Sequence, residues 1–281
     1  MSERLVQTRV GSLKVTLIGE RAHRPTALLW HSLFVDERSW ERVTPSLTAA
    51  RQLVVVTGPG HGTSGDNGRR YSMEDCAEAA LQVLQAVGAE GPVDWVGNAW
   101  GGHVGIVVAA RHPDRVRTLI TAGSPIHPYP LADKLTTQLL VFLYRRLGPI
   151  RYLTSAVVDA LLSERTRTTD PVAVDLVRDC FVRADRTGLA NAIVSISLHR
   201  KDLKPMLPAV QAPTLFITGS AHPDWTPEQM RAAAALLPHG FTRVVDGAAY
   251  LVPFENPVEF TRDVHEFWAA TPPNDTSGTP S

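Results

Sequence analysis

The sequence predicts an α/β fold built on a mostly parallel central sheet flanked by helices. Three observations carry the prediction. Short β-branched runs recur along the chain, helical patterns stand between them, and one stretch from residue 126 to 207 reads as helix throughout. Near-continuous apolar strands without polar alternation suit a parallel sheet covered on both faces. Strand–helix alternation implies right-handed crossovers.

In chain order, the expected strands are TALLWHS (26–32), QLVVVTG (52–58), VDWVGN (93–98), VRTLITAG (116–123), APTLFITG (212–219) and TRVVDG (242–247). The helical patterns between and after them are SMEDCAEAALQVLQAVGA, GGHVGIVVAARHP, TPEQMRAAAALLP and NPVEFTRDVHEFWAA. The first opens with a Ser-x-x-Asp cap, in which a side-chain oxygen takes up an otherwise unpaired helix N–H. Turn signals at Gly148-Pro149 and at TTDP (168–171) divide the helical stretch. Inserted near the carboxyl ends of the strands, that stretch is expected to form a cap over a site. The expected division is a core of residues 1–125 and 208–270, a helical cap of 126–207, and a disordered polar tail of 271–281.

With 281 residues, 44% hydrophobic and 20% charged, the chain can bury a sizeable core. Its 28 basic and 28 acidic residues cancel, which argues against a nucleic-acid surface or an anionic membrane as partner. Cys76 and Cys180 lie far apart and read as free buried thiols of a reducing compartment. The first 15 residues lack a secretory layout. The most apolar run, TTQLLVFLYRRLG, is far shorter than the roughly 20 residues that span a bilayer. A cytoplasmic protein is expected. No His/Cys/Asp/Glu cluster has metal-ligand spacing, so neither metal nor cofactor is expected.

Five landmarks then appear in order: LLWHSLFVDERSWERV, GPGHGTSG (58–65), VGNAWGG, FITGSAHPDWTPEQM and VVDGAAYLVPFENPVEF. Together they resemble the α/β-hydrolase superfamily, in its capped branch, over roughly residues 5–270. The resemblance implies a nucleophile, an acid and a histidine, in that chain order, at the carboxyl ends of strands. All three positions depart from the pattern. Ala99 stands at the nucleophile elbow, where Gly97, Gly101 and Gly102 are kept. His222, with Asp224 two residues on, stands at the acid position, and Tyr250 replaces the histidine. A phenol with an ordinary pKa near 10 is a poor base at neutral pH.

A backbone oxyanion hole can outlive such changes, and the resemblance assigns it to the N–H groups of Leu33 and Trp100. Ser32 and His127 are expected beside the same pocket, whereas His31, His61 and His103 read as structural. The function favoured at this point is a protein that binds a small apolar carbonyl compound without covalent catalysis. Two alternatives stand beside it. One is a cofactor-free lyase, isomerase or cyclase, with His222 as base and Tyr250 or Asp224 assisting. The other is a hydrolase that activates water directly through His222 or Asp224.

Overall fold

The computed structural model describes residues 1–20 and 24–271; of the tail expected to be disordered, all but Thr271 lies outside the described residues. Among the described residues eight strands form one sheet: β1 (Ser2–Thr8), β2 (Gly11–Ile18), β3 (Thr26–Trp30), β4 (Gln52–Val56), β5 (Val93–Asn98), β6 (Val116–Ala122), β7 (Thr214–Gly219) and β8 (Gly240–Val245). Their order is β1-β2-β4-β3-β5-β6-β7-β8. From β4 to β8 every pairing is parallel, while β1–β2 and β2–β4 are antiparallel. The sequence reading did not include β1 and β2. The reason is physical: β1 is an edge strand whose only buried residue is Val6, so it carries almost no apolar pattern.

The missing alternation in the central strands has a direct cause. Leu28 and Trp30 of β3 pack into one core with Val54 and Val56 of β4. Ala27 and Leu29 pack into a second core on the opposite face, with Val55, Val96, Phe260 and Val264. Helices Met73–Ala86 and Trp100–Arg111 belong to the first core, and helix Pro257–Ala270 belongs to the second. The Ser72–Asp75 capping box is present in both directions at the start of Met73–Ala86.

Five α-helices lie between β6 and β7: Leu131–Leu147, Arg151–Leu161, Glu164–Thr169, Pro171–Arg183 and Arg186–Ile193. The first ends at Gly148, whose φ of 75° favours glycine, and Pro171 opens the fourth. No helix among the described residues is long and apolar enough to cross a membrane.

The strand order places the site. After β3 the chain pairs β4 on one side, then returns to pair β5 on the other. The carboxyl ends of β3 and β5 therefore border a topological switch point, where open α/β sheets leave a crevice.

Candidate active site

The turn after β5 is sterically enforced. A Cβ on Gly97 would run into the Gly101 backbone, and one on Gly101 into the Trp30 carbonyl oxygen, so strand, turn and helix pack closer than other residues allow. Between them Ala99 sits at φ 46°, ψ −103°. Left-handed backbone of this kind costs a non-glycine residue about 1–2 kcal/mol. The turn is pinned on both sides. The Ala99 N–H donates to the Ala122 carbonyl (2.8 Å), and Asn98 Nδ2 donates to the carbonyls of Ala122 (2.9 Å) and Tyr250 (2.7 Å). Among the described residues, Phe34 (φ 70°) is the other non-glycine residue at positive φ. Both line one cavity of about 250 Å³, just below the ~300–1,000 Å³ usual for ligand sites.

The loop after β3 is held by two buried histidines. The His31 Nε2 accepts the Gly58 N–H (2.8 Å), which leaves Nδ1 to donate to the Ser32 carbonyl (2.6 Å). In the same way His61 Nε2 accepts the Phe34 N–H (3.3 Å), and Nδ1 donates to the Pro59 carbonyl (3.0 Å). Burial pulls both imidazoles below their usual pKa, His61 to about 3 with help from the neighbouring His31. Both therefore stay neutral at pH 7. They fix a loop in which the Leu33 N–H has no acceptor among the described residues, and the Trp100 N–H, at the first position of its helix, has none either. Leu33 and Trp100 both border the cavity. Two free N–H groups, one at a helix N-terminus, suit a developing oxyanion.

The three residues singled out as acid–base groups separate into two kinds. Asp224 and Tyr250 line the cavity, and the Tyr250 hydroxyl donates a short hydrogen bond to Asp224 Oδ2. Burial, then the Asp224 carboxylate, raise the Tyr250 pKa far above its usual value, so the phenol keeps its proton. His222 is placed differently. It is not among the residues lining the cavity; its ring lies against Tyr250, with centroids 3.9 Å apart. Its Nδ1 accepts the Asp224 N–H (3.1 Å), which engages that lone pair and leaves the proton on Nε2. Burial lowers its pKa to about 4. His222 supports the Asp224 turn and has no free lone pair to offer a substrate.

Of the remaining pocket residues, Ser32 lines the cavity, but its hydroxyl is turned to the Leu33 carbonyl (3.3 Å). His127 stands outside the lining, with its ring 6.2 Å from that of Trp225. His103, read from sequence as structural, and Arg200, not named from sequence, also line the cavity. His103 donates from Nε2 to the Pro125 carbonyl (2.8 Å), leaving a buried Nδ1 without a partner. Its place four residues after Ala99, one helical turn on, was the available signal. Arg200 lies near the end of the 126–207 stretch with no local pattern to mark it, yet it lines the cavity.

Residues 27–264 match the model of the alpha/beta hydrolase family. The chain is 27% identical to a pimeloyl-[acyl-carrier protein] methyl ester esterase of Edwardsiella ictaluri, across 86% of this chain and 97% of that protein. It is 33% identical to a 2-hydroxymuconate semialdehyde hydrolase of Pseudomonas sp. (strain CF600), across 34% of each. Among solved structures it resembles a thermophilic esterase from Thermogutta terrifontis (TM-score 0.87, 24% identity, 96% of this chain and 99% of that one). An enol-lactonase from Burkholderia xenovorans LB400 is similar too (TM-score 0.85, 24% identity, 95% and 100%). Relatives named as hydrolases overturn the expectation of a binding protein without turnover, which rested on the departures at positions 99, 222 and 250. With a family match over most of its length and every central strand in place, the chain belongs to the alpha/beta hydrolase family.

Proposed function

We propose that this protein hydrolyses small carbonyl compounds, esters first among them, by delivering water directly to the carbonyl carbon without an acyl intermediate on the protein. One observation carries the reading: the free N–H groups of Leu33 and Trp100 and the Asp224–Tyr250 pair line the same cavity, in which the elbow residue is Ala99. On this reading Ala99, His222 and Tyr250 occupy the positions of a nucleophile, acid and histidine triad that is no longer intact, so the seryl route is closed. The near full-length similarity to a protein named as a methyl ester esterase supports esters as the substrate class.

The chemistry assigns one task to each group. Asp224 Oδ2 is held by Tyr250, and Oδ1 has no partner among the described residues. Oδ1 takes a proton from water as the water oxygen attacks the carbonyl carbon, and the oxyanion rests on the N–H groups of Leu33 and Trp100. Collapse breaks the ester C–O bond. The departing alkoxide recovers the proton from the Asp224 carboxylic acid, giving alcohol and acid. Tyr250 stays protonated throughout and is a positioning residue.

Methyl and p-nitrophenyl esters of short acyl chains provide the test. Product should form linearly from the first turnover, and intact-mass spectrometry should find no acylated protein. Asp224→Asn should lower kcat/KM by about 10²–10⁴-fold, the usual worth of a general base. An acyl adduct, or an Asp224→Asn variant within about threefold of wild type, refutes water delivery by Asp224.

A further inference from the structure

Several arginines that are partly withdrawn from water in this protein meet carboxylates. Arg38 pairs with Asp36 and Asp179, Arg42 with Asp170, and Arg51 with Asp94. Arg200 does not. It has no carboxylate within ion-pairing distance among the described residues and no hydrogen-bond acceptor for any side-chain N–H. Its Nε is fully buried and unpartnered. Its guanidinium carbon lies 5.3 Å from the centroid of the Tyr129 ring, and both residues line the cavity that holds Ala99 and the free N–H groups of Leu33 and Trp100. Asp133 and Asp224 also line the cavity, and they act on Arg200 only through space.

A guanidinium carries five donors in a rigid plane and keeps its charge at every working pH. Burying the Nε–H without an acceptor is unfavourable, and a bidentate carboxylate is the partner whose geometry matches the fork. Tyr129 steadies one face of the group by cation–π contact, so the fork is oriented before any ligand arrives. We infer that Arg200 is an anion anchor, and that the preferred substrate carries a free carboxylate in addition to the carbonyl that reacts. The inference rests on the hydrolase reading for the second carbonyl; the anchor itself stands on the unpaired cation. A half-ester of a short dicarboxylic acid is the simplest molecule with both groups. The apolar character expected of the ligand then belongs to the carbon chain between them, facing Leu33, Leu161 and Ile196.

Monomethyl glutarate and dimethyl glutarate differ in this one charge. Wild type should hydrolyse the half-ester with a kcat/KM about 10- to 100-fold above that of the diester, the worth of hydrogen bonds to a charged group. In Arg200→Gln that ratio should fall to near one, and in Arg200→Lys it should be intermediate, because a point charge keeps attraction without the fork. Glutarate binding by calorimetry separates the two readings. Binding by wild type that is lost in Arg200→Gln, with neither ester turned over, upholds the anchor and sinks the hydrolase. Equal preference for both esters in wild type overturns the anchor. So does glutarate binding that is unchanged in an Arg200→Gln protein whose circular dichroism matches wild type.

Discussion

Replacing Ala99 by glycine measures whether the elbow is strained. Two costs accompany the change at any buried alanine. The lost methyl forfeits about 0.8 kcal/mol of burial, and glycine's extra backbone freedom costs about 0.5–1 kcal/mol. Ala109, in the helix that follows and fully buried, is the control at ordinary helical geometry. Ala109→Gly should therefore destabilise by about 1.3–1.8 kcal/mol. At Ala99 the φ of 46° adds an opposing term, because glycine removes the Cβ that crowds the carbonyl, returning about 1–2 kcal/mol. The net for Ala99→Gly lies between about 0.8 kcal/mol destabilising and 0.7 stabilising, so the two variants should differ by about 1–2 kcal/mol. Urea unfolding followed through the six tryptophans reads this directly. The surrounding bonds to Ala122 and Tyr250 hold the turn in either variant. If Ala99→Gly proves as destabilising as Ala109→Gly, the tip stores no strain and the argument that packing enforces the turn fails.

Placing a hydroxyl at the elbow with Ala99→Ser should leave the protein unlabelled by a fluorophosphonate probe, since Tyr250 keeps its proton and His222 Nδ1 is engaged by the Asp224 N–H. Labelling would mean that a working base reaches position 99. Acid should weaken the fold through His222. Burial depresses its pKa from 6.5 to about 4, so its contribution is fully present above pH 6.5 and declines as pH falls from there toward 4, where the unfolded chain binds the proton and the native state does not. That contribution amounts to about 3 kcal/mol at most. His222→Gln should remove about one proton, or ~1.4 kcal/mol per pH unit, from the slope of unfolding free energy across this window. A slope identical to wild type would show that His222 titrates normally in the folded protein.

The parts of the fold legible in the sequence are those set by local rules. Continuous apolar runs mark strands because both faces of the sheet are covered, as the opposite burial of Leu28 and Leu29 makes plain. Ser72 and Asp75 announce a helix start because the capping box is made within four residues. The elbow is readable because Gly97 and Gly101 satisfy a steric demand of their own turn. The β1–β2 hairpin was not legible, since an edge strand with one buried residue needs no apolar pattern.

Sequence by itself thus determined the α/β architecture, the run of helices between β6 and β7, and the place of the elbow with its alanine. Tertiary structure alone decided what each polar group at the site can do. His222 and Asp224 are two residues apart, yet one is walled off by Tyr250 with its lone pair engaged and the other lines the cavity. Arg200 and His103 have unremarkable neighbours in the chain and acquire their unanswered donors and acceptor only when the helices close over the sheet. The cause is the same in each case: protonation and hydrogen-bonding capacity depend on burial and on partners distant in sequence, which no local spacing encodes.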